Sequence, residues 1–168
     1  MNRTIISFIA LSLVVFPLTG CSEKRPDGMP KLYPASITVT MDGTPLAAAM
    51  VQLYAEDSAN SQWGPGGITK ASGIAELQTN GRYKGAPLGV YKVAVSKQEM
   101  DKHPNPEWAN LPPDDPNYRR YMQIAENLKA FEVVAPEFSQ LSKTPLKIEI
   151  TAKVKSYQIE VGKNPGAK

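Results

Sequence analysis

Along this chain, apolar and polar residues alternate with a period of two in a series of short runs. That spacing predicts strands with one buried and one wet face. The cleanest run lies within residues 85–97, where a Gly/Pro turn feeds Tyr91, Val93 and Val95 to one face and Lys92, Ala94 and Ser96 to the other. The same alternation places Ile37, Val39 and Met41 inward in a strand over 36–41, and Ala49, Val51 and Leu53 inward over 49–55. Further strands are expected over 68–71 and over 74–79, with Ala75 and Leu77 inward. Near the C-terminus, Leu146, Ile148 and Ile150, and then Tyr157, Ile159 and Val161, repeat the pattern, and Phe131 and Val133 add an edge strand. Turn chemistry separates the runs: Asp42-Gly43, Ser72-Gly73 and Asn80-Gly81 each supply a residue suited to positive φ. Gly64-Pro65-Gly66-Gly67 reads as a further turn, since it lacks the lysine and the strand-to-helix setting of a phosphate loop. About seven short strands of this kind predict an all-β fold, a transthyretin-like or immunoglobulin-like antiparallel sandwich.

Residues 98–130 break the alternation. Five prolines between His103 and Pro116 suit neither a helix nor a ladder. Beyond them, Asp115 is placed as an N-cap with Pro116 at the first helical position. Tyr118, Tyr121, Ala125 and Leu128 recur at spacings of three and four, which predicts a short amphipathic helix over 116–129 with that stripe against the sandwich. The insertion then either covers an exposed sheet edge, the preferred reading, or carries binding specificity.

Composition adds restraint. The net charge of +3 comes from scattered lysines rather than a basic stripe with interleaved aromatics, so no nucleic-acid partner is expected. Fifteen prolines and 12 glycines cluster between the runs, as a loop-rich β protein places them. Cys21 is the single cysteine, so no internal disulfide forms and the apolar core must hold the domain.

The first 20 residues have the three parts of an export signal: Arg3, an apolar run from Ile5 to Phe16, and a small-residue site before Cys21. Leu18-Thr19-Gly20-Cys21 resembles the lipobox of bacterial lipoproteins, which implies recognition of Leu18, Thr19 and Gly20 by a signal peptidase and lipidation at Cys21. Two or three acyl chains, at ~0.8 kcal/mol per buried methylene, would make a permanent membrane anchor. Ser22, in place of an aspartate, resembles the arrangement released to the outer rather than the inner membrane. Residues 21–35, rich in proline and charge, read as a lipidated flexible tether whose stretch from Ser22 to Pro34 reaches roughly 40 Å at ~3.1 Å per residue. The expected layout is therefore a leader over 1–20, a tether over 21–35, a sandwich over 36–97 and 131–161, an insertion over 98–130 and a tail over 162–168.

The runs Asp42-Gly43-x-Pro45-Leu46, Gly73-x-Ala75-x-Leu77-x-Thr79 and Gly85-Ala86-Pro87-x-Gly89-x-Tyr91-x-Val93-x-Val95 resemble the carboxypeptidase regulatory-like domain, a transthyretin-like sandwich of bacterial lipoproteins. The resemblance spans residues 36–161. It is to an accessory domain and not to a catalytic one. Where relatives often carry an acid before the mid-domain glycine, this chain has Ala71-Ser72.

Candidate chemistry is sparse. His103 is the single histidine, no Gly-x-Ser-x-Gly occurs, and no metal-ligand spacing is present, so neither catalysis nor a cofactor is expected. Glu56-Asp57 and Asp114-Asp115 lack the alternating oxygen spacing of a calcium loop and read as solvated charges. Trp63, Trp108, Tyr118 and Tyr121 either contact a ligand or partner, or close the core and form the helix's buried stripe; the second reading is preferred. The expected function is a non-catalytic envelope lipoprotein serving structure, adhesion or interaction, its partner an envelope protein or glycan. The alternative is a small-ligand or carbohydrate-binding lipoprotein.

Overall fold

The computed structural model describes residues 25–167; the leader, the lipobox residues Leu18, Thr19 and Gly20, and Cys21 lie outside them. The strands are β1 (Ser36–Met41), β2 (Thr44–Pro45), β3 (Met50–Ala55), β4 (Pro65–Ile68), β5 (Ile74–Glu76), β6 (Gln78–Thr79), β7 (Tyr83–Lys84), β8 (Gly89–Ser96) and β9 (Gln98–Met100). Helix α1 (Pro116–Ala125), β10 (Ala130–Glu132), the helical turn α2 (Pro136–Ser139), β11 (Lys147–Ile150) and β12 (Ser156–Val161) complete the chain. One sheet of six strands runs β11-β8-β3-β4-β6-β7, and a second of four joins β12, β1 and β2, with β5 also on β1.

The two sheets enclose one core. Ile37 and Val39 from β1, Val51 and Leu53 from β3, Tyr91, Val93 and Val95 from β8, Ile150 from β11 and Val161 from β12 are at most 2% exposed. These are the inward positions that the alternation predicts. Tyr91 is the largest of them, and its hydroxyl donates to the Pro87 carbonyl at 3.0 Å. Burial, with the nearby Asp57 charge, pushes that hydroxyl up to about 12. The buried hydroxyls of Thr69, Thr79 and Thr144 donate to the Leu46, Gly85 and Val93 carbonyls, so each polar atom taken from water is satisfied. Ala94, expected on a wet face, is also buried, on the strand against which α2 packs.

Several details differ from the sequence expectation. One ladder is parallel: β1 and β12 pair from Ser36↔Ser156 to Met41↔Val161, whereas the expected sandwich is antiparallel. The expected run over 74–79 breaks at Leu77, whose amide donates to Ala35 O at 2.9 Å and whose carbonyl accepts from Gly85 N at 2.8 Å, so the chain passes from one sheet to the other there. The turn expected at Gly64-Pro65-Gly66-Gly67 is instead the start of β4, between β3 and β6. The reason is steric. A Cβ on Gly66 would lie 2.8 Å from Val51 O and one on Gly67 2.6 Å from Glu76 O, so only glycine lets these backbones approach.

The end of the expected tether is docked. Leu32 and Ala35 are buried, and Tyr33 exchanges two hydrogen bonds of 2.9 Å with Ala86. Gly85 makes room for this contact: its φ is +99°, and a Cβ there would meet Tyr33 O at 2.5 Å.

Within the insertion, residues 98–100 pair with 130–132 as a two-stranded ribbon, a strand that the broken alternation hid. Asp115 caps α1 by accepting from Asn117 N, as expected. The helix stops at Ala125 rather than 129, where the Asn127 side chain turns back to the Gln123 carbonyl at 2.7 Å. It does not lay its stripe on the sandwich. Tyr118, Tyr121, Ala125 and Leu128 are half-buried, no residue of α1 is fully buried, and its main neighbour is the 3₁₀ turn Pro106–Asn110. Among the described residues, no helix is long and apolar enough to cross a membrane.

Candidate functional site

The four aromatics singled out from the sequence fall in two places. Trp63 is buried, 7% exposed, in the loop before β4, where its backbone amide donates to Asn60 O at 2.9 Å. It faces the protein. Trp108 lies in the 3₁₀ turn that packs on α1, and Tyr118 and Tyr121 stack on that helix with ring centroids 6.5 Å apart. Three of the four are thus gathered in the insertion, and all three are half-buried.

His103 joins this cluster, its ring 4.2 Å from that of Tyr121. Its Nδ1 accepts from Asn105 N at 3.0 Å, which places the proton on Nε2, 3.2 Å from the Tyr121 carbonyl. Both nitrogens are engaged by backbone, and the residue pins the Pro-rich loop to the helix. Three of the four paired acids are likewise occupied. Glu56 meets Lys147 at 2.6 Å, Asp57 accepts from Ala59 N, and Asp115 caps α1. Among the described residues, no three His, Cys, Asp or Glu side chains gather closely enough to hold a metal ion.

One concave surface was not legible from the sequence. The outer face of the six-stranded sheet carries an open trough of about 770 Å³. Its floor is β4, where Gly66 and Gly67 contribute no side chains; its walls are Met50, Gln52 and Tyr54 of β3 on one side and Gln78 on the other, with Leu141 nearby. Ile68 is 64% exposed and Met50 46%, although both are large and apolar. Tyr54 is held upright by a 2.9 Å hydrogen bond from its hydroxyl to Gln52 Oε1. At the rim, Lys70 and Glu76 form an exposed 2.6 Å ion pair, and the hydrogen bond and charge of Lys70 hold the Glu76 carboxyl below its usual range. The trough is therefore apolar in its middle and charge-neutral at this rim. The glycines that make it are the residues that read as a turn, because a residue without a side chain cannot show alternation.

The two ends of the sandwich differ in what they carry. The chain enters beside the first residue of β1, near Ala86 and the start of β8. The insertion leaves from the last residue of β8, which pairs with Met50 at the other end of β3. Eight residues of strand separate the two, about 25 Å at ~3.3 Å per residue.

Comparison with family models, with curated proteins and with solved structures returns no match.

Proposed function

We propose that this protein is a non-catalytic interaction module of the bacterial cell envelope, exported and held by a lipid at Cys21, in the outer rather than the inner membrane. The resemblance to carboxypeptidase regulatory-like lipoproteins supports the same reading. The observation that carries the interaction role is the trough: exposed Ile68 and Met50 beside Tyr54 on a concave sheet face. Clustered apolar side chains left in water mark surfaces that are covered in use. A rigid sheet beneath them means little ordering entropy is lost when a protein partner docks.

A photo-crosslinking residue at Ile68 should give one discrete envelope adduct, while the same residue at Gln158, on the other sheet, should give none. The adduct should vanish when Met50→Glu places a charge in the trough. Equal labelling from both positions, or an adduct indifferent to Met50→Glu, would overturn the proposal. A glycan is the second reading, favoured by Tyr54 standing beside the amides of Gln52 and Gln78, a stacking surface flanked by hydrogen-bonding groups. Calorimetric titration with envelope glycans separates the two: heat lost in Tyr54→Ala supports the glycan, and no heat across the series removes it.

A further inference from the structure

The end of the sandwich at which the chain enters is basic. Lys153 and Lys155 flank Val154 in the turn before β12, and the Lys155 carbonyl accepts from Ser36 N at 2.9 Å, which fixes that turn beside the start of β1. Lys31 lies over the Tyr33 ring, 5.2 Å from its centroid, and Tyr33 is bonded to Ala86, two residues from Lys84. All four lysines are exposed, and among the described residues none is in an ion pair. Two acids toward this end are held in ion pairs, Glu56 with Lys147 and Glu76 with Lys70, the charge of Lys84 adding to the field on Glu76, and Asp57 accepts from Ala59 N. Two apolar side chains are exposed at this end, Val154 at 44% between Lys153 and Lys155, and Leu88 at 41% just before β8, where its carbonyl accepts from the Asn60 side chain.

Exposed lysines around exposed aliphatic side chains make a surface suited to the boundary between anionic headgroups and acyl chains. We propose that this end is a membrane-contact face that binds anionic lipid headgroups and sets the domain upright on the bilayer. The proposal rests on the anchored reading above and deepens it. From Cys21 to the docked Leu32, the chain reaches at most roughly 35 Å at ~3.1 Å per residue, so a lipid at Cys21 keeps this end close to the surface. Contact here points the insertion, at the opposite end, away from the membrane. It also leaves the trough on the flank, open to a partner approaching in the plane of the bilayer.

The test uses the full chain, expressed with its leader and reconstituted into vesicles of phosphatidylcholine alone or mixed with phosphatidylglycerol. A nitroxide is placed at Val154→Cys or, as the distal control, at Gln123→Cys. In the mixed vesicles the label at 154 should become accessible to oxygen dissolved in the bilayer and shielded from an aqueous relaxation agent, while the label at 123 stays in water. High salt should reverse the change. Replacing Lys153 and Lys155 by glutamine should weaken the contact about fivefold for each lysine lost, given about 1 kcal/mol per basic residue near an anionic surface. A circular-dichroism melt checks that this variant is folded. A label at 154 that remains in water in the mixed vesicles overturns the proposal. Intact mass of the same sample separates the two claims. A lipidated chain with a water-exposed 154 keeps the anchor and removes the contact face. An unlipidated chain that still responds to phosphatidylglycerol keeps the face and removes the anchor.

Discussion

The sandwich and its insertion are built in opposite ways. Strands β1, β3 and β8 bury side chains to 2% exposure or less, whereas not one residue from 98 to 130 is buried. The sandwich is held by the hydrophobic effect acting over residues distant in sequence. The insertion is held by local devices: the Asp115 cap, the His103 bridge, ring stacking and a six-residue ribbon. Regions with few buried apolar contacts open at low free-energy cost, independently of the rest. The comparison therefore implies that stability resides in the sandwich, and that the insertion can change shape without risk to the fold.

The strongest way to break that contrast is through the core. Leu53→Ala should cost about 2–5 kcal/mol, read from urea unfolding, because the facing sheets cannot close over the cavity. Next is Gly85→Ala, which should cost about 1–3 kcal/mol by forcing a side chain into a left-handed backbone against Tyr33 O. Hydrogen exchange should show the Tyr33 and Ala86 amides losing protection first.

Tyr91 sharpens the contrast through pH. Its hydroxyl is raised to about 12 in the fold, against an ordinary value of 10.0, so the folded state holds that proton more tightly than the unfolded chain does. The stabilisation is complete below pH 10 and is lost as pH rises from there toward 12. Tyr91→Phe should lower neutral stability by about 1 kcal/mol, the worth of one hydrogen bond, and should flatten the alkaline decline. The smallest effect belongs to the insertion. His103→Ala should leave global unfolding within about 0.5 kcal/mol of the natural protein while exchange at the Asn105 amide accelerates. A loss comparable to that of Leu53→Ala would show that the insertion is part of the cooperative core.

What the sequence made legible follows the same division. Strands with a buried face announced themselves, because burial forces alternation: Ile37 and Val39, Val51 and Leu53, Tyr91 and Val93 all lie where the pattern put them. Strand β4 was hidden because Gly66 and Gly67 have no side chains to alternate, and β9 because Gln98, Glu99 and Met100 are all exposed. The direction of the β1–β12 ladder was not legible, since inward and outward positions alternate identically in parallel and antiparallel pairs. The helical stripe was visible, but it rests on the insertion's own Pro-rich turn, and spacing alone does not say what a stripe will meet. The trough was out of reach because its residues come from strands that become neighbours only in the fold.

The proposed contact face and the proposed role of the trough both depend on the proposed lipid at Cys21, so the mass of the mature N-terminal peptide is the decisive measurement. It should begin at Cys21 and carry a diacylglyceryl thioether. An N-terminal peptide that retains the first 20 residues, or one that begins at an unmodified Cys21, would contradict the anchored reading.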